Sequence, residues 1–206
     1  MKALLAAVTA AALAPALAQA QESRLAEPFR TLCMAAHGKA DVTTAAARSA
    51  GFVAPPAVML QDLTGAIPDA IRPVVLWKTY DGGLTMALIG EMPAPGTPPM
   101  SAEVCGIATI PSEPTPSATL ETILGVGQPL KNGSTDMFIY DEGPDGRRAA
   151  VDVRDSGEVR KLLEEGRLRM AMAGVTKAHD FDISIVMLLA PHAVNTAALD
   201  RRLAAR

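Results

Sequence analysis

Residues 74–89 read VVLWKTYDGGLTMALI, and this stretch decides the fold. Val74–Tyr80 and Leu84–Ile89 are rich in β-branched, aromatic and aliphatic residues, the composition typical of strands. Between them, Asp81-Gly82-Gly83 is a turn sequence, because glycine adopts the positive φ that a tight hairpin requires. The stretch therefore predicts a β-hairpin, and with it an antiparallel sheet.

Further strands and helices follow from hydrophobic periodicity on both sides of this hairpin. The predicted strands are 104–110, 135–140, 148–153, 168–176 and 181–190. The predicted helices are 24–36, 42–50, a helix of about ten residues ending at Gly125, 156–165, and a short helix around Leu199 and Leu203. The proline-rich stretch 92–99 predicts a loop without regular pairing.

The order of these elements predicts an α+β fold, because runs of strands joined by turns alternate with helices. We expect a single domain over residues 21–206, mainly an antiparallel sheet of about six to seven strands. Two helices precede the sheet and two short helices are inserted between strands. Phe181, Ile183, Ile185, Met187 and Leu189 share one face of the last strand, and the other face also has apolar residues, Val186, Leu188 and Ala190, which predicts a central strand covered on both sides at its end.

Residues 1–20 have the features of a secretory signal peptide. Lys2 precedes the uncharged, apolar run 3–13, and Ala18-Gln19-Ala20 is a small-residue cleavage site ahead of Gln21. The run is too short and too alanine-rich for a membrane span, which needs about 20 strongly apolar residues. We therefore expect export to the periplasm or beyond, cleavage near Ala20, and no transmembrane anchor.

Charge and motif content exclude several classes of function. The 19 Lys and Arg residues are outnumbered by 22 Asp and Glu residues, so no strongly basic field exists to attract nucleic acid. The sequence contains no phosphate-binding loop, nucleophile elbow, zinc-protease helix or dinucleotide fingerprint. We expect no nucleic-acid partner and no cofactor.

The two cysteines, Cys33 and Cys105, predict one disulfide bond. An even pair in an exported chain is oxidised in its destination compartment, and closing such a loop stabilises the fold by about 4 kcal/mol. The alternative is a reactive Cys33 thiol assisted by His37. Cys33 lies on the apolar stripe of its predicted helix, which favours the buried disulfide.

The turn before the last strand contains the residues most suited to catalysis. His179, Asp180 and Asp182 would let a carboxylate orient an imidazole as a general base, and Ser134 lies in another turn close to Asp136. Hydrolysis would require these turns to meet in the folded chain. Without a partnered nucleophile in the sequence, the simpler interpretation is a surface turn.

A metal site has little support in the sequence. His179 and His192 bracket the last strand, whose ends are too far apart to share an ion, so only a pairing with His37 is left. Met170 and Met172 offer soft ligands for Cu(I), but alternate positions on a strand also suit a core. We expect a core role for both methionines and no metal.

These observations predict an exported protein that acts as a non-catalytic binding or interaction module. The expected partner is an envelope protein, a peptide or a small ligand. The alternative is a hydrolase whose site assembles around the His179 turn, and metal handling through Met170, Met172 and a histidine is a third hypothesis.

Overall fold

A computed structural model describes residues 23–57, 71–94, 100–178 and 181–193 of the chain. Its helices are α1, an α-helical turn at Ala26–Pro28 that continues as a π-helix at Phe29–Met34, then α2 (Ala40–Ser49), α3 (Pro116–Leu124) and α4 (Ser156–Glu164). Its strands are β1 (Ile71–Tyr80), β2 (Gly83–Ala94), β3 (Met100–Ile110), β4 (Leu130–Asn132), β5 (Thr135–Glu142), β6 (Arg148–Ala150), β7 (Leu168–Ala178) and β8 (Phe181–Ala193).

All eight strands form one antiparallel sheet, so the predicted α+β class is confirmed. The strand order is β1-β2-β3-β8-β7-β5-β4. Along one edge of β5, β4 pairs with the first half of the strand and β6 pairs with the second half. The predicted hairpin joins β1 to β2: Tyr80 lies opposite Gly83, and Gly82 has a φ of 77°. The strand β8 is central, between β3 and β7, as its alternation predicted.

Helices α1, α2 and α3 pack on one face of the sheet, here called the core face. Their buried residues meet the inward side chains of the strands in one hydrophobic cluster. Representative members are Phe29, Leu120, Ile89, Phe138 and Leu188. The predicted disulfide is present in this cluster and joins Cys33 of α1 to Cys105 of β3, both fully buried.

The opposite face of the sheet is also apolar. Val75 and Leu88 form one small buried cluster on this face, and Met86, Ala108 and Ile183 form another. Helix α4 contacts β7 and β8 and buries Leu162. Within the described ranges, no helix is long and apolar enough to cross a membrane.

The structure differs from the sequence prediction in three places. Among the described residues there are eight strands, because the three-residue strand β4 was not predicted, and β6 keeps only three residues of the predicted strand 148–153. The first helix is α-helical only at Ala26–Pro28 and then widens to a π-helix, whose period the apolar spacing does not distinguish from 3.6. The predicted helix around Leu199 and Leu203 lies outside the described residues.

The third difference is at Pro93, which pairs with Ser101 in β2 although a loop without pairing was predicted. Within the described residues, β1 begins at Ile71, opposite Glu91, so Pro93 lies two positions beyond the described β1–β2 pairing and pairs with β3 alone. A strand position with a partner on one side is where proline, which has no N–H to donate, is tolerated.

Candidate functional site

The predicted catalytic turn is only partly described. His179 and Asp180 lie outside the described residues. Asp182 is exposed near the start of β8, where its Oδ1 lies 3.9 Å from Nζ of Lys177 on β7. This is a cross-strand pair of exposed charges, since Lys177 and Asp182 are register partners. Such a pair has little energetic weight in water.

Ser134 is exposed in the turn between β4 and β5, and it lies apart from Asp182. Its carbonyl oxygen approaches β7 at Gly174, whereas Asp182 pairs with Lys177, three residues further along the same strand. Asp136, the nearby carboxylate, is bound by Lys131 and Ser117, and these hydrogen bonds lower its pKa. Among the described residues, this region does not bring Ser134 to Asp182, and the hydroxyl that reaches Asp136 is that of Ser117.

The two methionines singled out for copper lie on the face of the sheet opposite the core face. Met170 is flanked by Ile139 and Leu189, and Met172 by Met137 and Met187. His192 does not join them, because its register partner Ser101 places it on the core face. In the described part of the chain, no group of three or more His, Cys, Asp or Glu side chains could hold a metal ion.

Buried charge is concentrated where β5, β6 and β7 meet, in what we call the Glu142 cluster: Glu142, His37, Arg148, Arg169 and Tyr140. The Glu142 carboxylate is 6% exposed. Its Oε2 accepts at 3.1 Å from Nε of Arg169 and lies 3.1 Å from Nδ1 of His37. Its Oε1 lies 3.5 Å from Nε of Arg148. A buried carboxylate of this kind is stable only because cations surround it.

Strand register and one helix end assemble this cluster. Glu142 lies directly opposite Arg148 in the β5–β6 pair, and Tyr140 lies opposite Arg169 in the β5–β7 pair. His37 follows α1 with a φ of 51°, a left-handed conformation that histidine tolerates better than most residues. This conformation reverses the chain directly after α1, where the His37 side chain reaches Glu142 on β5.

The cluster has more donors and positive charge than its one carboxylate can satisfy. Two guanidinium groups, 13% and 25% exposed, face a single buried negative charge. Within the described part of the chain, the Tyr140 hydroxyl and Nε of Arg148 are buried and have no hydrogen-bond partner. Burial raises the pKa of Tyr140, and the charge of Glu142 adds to this effect, so the phenol stays a neutral donor.

A cavity of about 370 Å³, here called the Glu142 cavity, opens onto this cluster. One part of its wall is cationic, formed by Arg30 and Arg148 beside the imidazole of His37. The other part is apolar, formed by Met34, Ala35 and Ile123, and Glu142 and Gly146 complete the lining. The volume lies in the range of small-molecule sites, which combine apolar walls with a few convergent polar groups.

A serine, a glutamate and a histidine meet on the core face where β2, β3 and β8 lie side by side. The Ser101 hydroxyl, fully buried, lies 2.7 Å from Oε1 of Glu91, and Nε2 of His192 lies 3.8 Å from the same oxygen. The serine proton is therefore directed to the carboxylate and not to the imidazole. Activation of a serine requires the imidazole to accept that proton, so this arrangement is not a catalytic triad.

Two further recesses lie beside the start of α1. One, of about 430 Å³, contains Tyr80 with Arg24 and Lys78 at 5.6 and 5.8 Å from its ring centre. The other, of about 520 Å³, contains Glu113, which accepts hydrogen bonds from Ser23 and from the backbone of Leu25. The charged groups in these recesses include both signs, and Glu113 is already satisfied by the N-terminal residues of α1.

The sequence analysis did not single out the Glu142 cluster, because the Asp, Glu and Gly residues of 141–146 are typical of a solvated turn and the charges of 147–169 are mixed in sign. In the structure, Glu142 and Arg169 are instead largely buried. A signal was present in the alternation of Phe138, Tyr140 and Glu142, since strand positions two apart share a face. It predicts that Glu142 faces the core.

Searches against protein-family models, curated proteins and solved structures gave no significant match.

Proposed function

We propose that this protein is an exported, non-catalytic binding module that holds a small ligand in the Glu142 cavity. The observation that carries the proposal is the cavity itself: cationic and apolar side chains line one recess of about 370 Å³, beside buried donors that have no hydrogen-bond partner among the described residues. Buried polar groups are normally satisfied, so donors without a partner beside a recess indicate a place where a ligand can bind.

Binding without covalent chemistry is favoured by how the reactive side chains are paired. Ser101 donates to Glu91, His37 contacts Glu142, and Asp136 is held by Lys131. A hydrolase with a serine or cysteine nucleophile needs a hydroxyl or thiol that donates to an imidazole; the described histidines contact Glu142 and the Ala190 carbonyl, and both cysteines are in the disulfide. A recess of this size also suits a small ligand better than a protein partner, which needs roughly 800 Å² of surface per side.

Export is supported by two independent features. The sequence of residues 1–20 has the order of a signal peptide, with Lys2, an apolar run and the Ala18–Ala20 cleavage site. The disulfide between Cys33 and Cys105 is typical of proteins that leave the reducing cytosol. We place the mature protein in the periplasm or outside the cell.

Blocking the cavity tests the binding function. Ala35 is exposed at the end of α1 and lines the cavity, so Ala35→Trp fills the recess without altering any ion pair. Ala45→Trp is the matched control, because Ala45 is an exposed residue of α2 outside every recess described above. A small-ligand library is screened by two-dimensional NMR against the wild type and both variants.

We expect ligands that shift the amide signals of Met34, Ile123 and Arg148 in the wild type and in Ala45→Trp. These shifts should disappear in Ala35→Trp. A library that perturbs none of the cavity residues, or binding that Ala35→Trp leaves intact, would contradict the proposed site.

A further inference from the structure

We infer that the Glu142 cavity binds an amphipathic monoanion, namely a carboxylate carried on a short apolar group. This inference rests on the proposed binding function and names the ligand class for the same cavity. Its basis is the division of the cavity wall into a cationic part and an apolar part.

The cationic part lacks acceptors. Oε2 of Glu142 is occupied by Arg169 and His37, and Oε1 lies 3.5 Å from Nε of Arg148, too far for a hydrogen bond of good geometry. Nε of Arg148 is accordingly a buried donor without an acceptor in the described part of the chain. An arginine fork binds a carboxylate through two parallel hydrogen bonds, which are among the strongest in proteins.

Charge excludes a cationic ligand and favours an anion. Arg30 and Arg148 both line the cavity, and the one carboxylate in its lining, Glu142, is already shared by Arg169, Arg148 and His37. A positively charged ligand would therefore be repelled by two guanidinium groups and would find no free carboxylate in the cavity lining. An anion would balance the excess positive charge that the cluster holds out of water.

The apolar part of the wall indicates that the anion also has an apolar group. Met34 is 8% exposed, and with Ala35 and Ile123 it forms a surface that no polar ligand group can satisfy. An aliphatic group against this surface is favoured because both apolar surfaces are removed from water. Inorganic phosphate would use the arginines and leave this surface uncovered, so we expect it to bind more weakly than an aliphatic carboxylate.

Isothermal titration with matched acids and amides tests the inference. The probes are hexanoate and hexanamide, N-acetyl-leucine and its amide, and inorganic phosphate. Hexanoate represents a free organic acid, and N-acetyl-leucine represents the carboxyl end of a peptide. We expect each acid to bind about tenfold or more tightly than its amide, because a charge-assisted pair is lost in the amide. The acid that binds with the higher affinity indicates whether the natural ligand is a free organic acid or the carboxyl end of a peptide.

Arg148→Gln and Arg147→Gln form the variant pair. The two arginines are neighbours, but Arg147 is 91% exposed and paired with Asp145, whereas Arg148 lines the cavity. Hexanoate affinity should fall about tenfold or more in Arg148→Gln and stay within about twofold of wild type in Arg147→Gln. If Arg148→Gln does not fold, Arg30→Gln serves instead, because Arg30 is an exposed residue that also lines the cavity.

The possible outcomes separate the inference from the proposed function. Amides that bind as tightly as the acids, or phosphate that binds more tightly than either acid, would overturn the carboxylate while leaving a binding cavity. Acid binding that Arg148→Gln and Arg30→Gln both leave unchanged would also overturn it. Absence of binding by every probe overturns the inference, and the library screen with Ala35→Trp then decides separately whether the proposed function falls with it.

Discussion

Nε of Arg169 on β7 lies 3.1 Å from Oε2 of Glu142 on β5, and both side chains are shielded from solvent. Oε2 also contacts His37, so one carboxylate joins two strands to the end of α1. Removing one member of such a buried pair costs more than the pair itself contributes, because the other charge is left without a partner.

Glu142→Gln should therefore lower the free energy of unfolding by about 3 kcal/mol, because the amide leaves Arg169 and Arg148 without a counter-charge. Urea denaturation at neutral pH measures this change. Glu165→Gln is the matched control: Glu165 forms an exposed pair with Arg167, and its loss should cost less than about 0.5 kcal/mol. Equal stability of the two variants would show that burial does not strengthen the Glu142 pairs.

Tyr140→Phe should leave stability unchanged or raise it by up to about 1 kcal/mol, because the buried hydroxyl has no partner in the described part of the chain. The substitution should also change the response to alkaline pH. Burial raises the pKa of Tyr140 above the ordinary value of 10.0, with the Glu142 charge as a second cause. The folded protein thus keeps a proton that the unfolded chain releases.

The sign of this pH effect follows from proton binding. Above pH 10 the unfolded state binds fewer protons than the folded state, so the free energy of unfolding falls by about 1.4 kcal/mol per pH unit for this one group. Urea melts at several pH values above 10 should show a smaller decline for Tyr140→Phe than for wild type. The control Tyr80→Phe, at an exposed tyrosine, should decline like the wild type. A decline unchanged in Tyr140→Phe would exclude the phenol as its source.

Much of the fold was predictable because local periodicity and turn chemistry determine it. The hairpin through Gly82, the alternation in β8 and the capping of α4 by Asp155 all follow from residues close in sequence. The strand β4 was not predicted, because three residues carry almost no periodic signal, and β6 is shorter than the predicted strand 148–153. Both β4 and β6 form by pairing with the edge of β5 that β7 does not occupy.

The candidate site was less predictable, because it depends on register between distant segments. Glu142 and His37 are separated by 105 positions, and Arg169 reaches Glu142 only because β7 lies beside β5. From a single sequence, each of these residues is expected to be an ordinary charged residue at the surface. Only the alternation that ends β5 distinguished Glu142, and nothing in the sequence selected Arg148 over its neighbour Arg147.

Export predicts a defined new N-terminus. When the gene is expressed in a bacterium with an intact secretion pathway, the periplasmic protein should begin at Gln21, and intact-mass spectrometry measures this directly. Ala20→Pro should block cleavage and leave the precursor uncut, because the cleavage enzyme requires a small residue there. Ala11→Val, within the apolar run, is the control and should be processed normally. Full-length wild-type chain confined to the cytosol would refute export.

Reduction of the disulfide should destabilise the fold strongly. Cys33 and Cys105 are 72 positions apart, and in the chain-entropy model a loop of this length contributes about 4 kcal/mol. The double substitution Cys33→Ala with Cys105→Ala should lose a similar amount, because the same loop then stays open in the unfolded chain. Urea melts with and without a reducing agent measure both effects, and the agent should not alter the double variant. If reduced wild-type protein, with both thiols confirmed by alkylation, keeps its unfolding midpoint, then the packing of α1 against β3 holds without the disulfide bond.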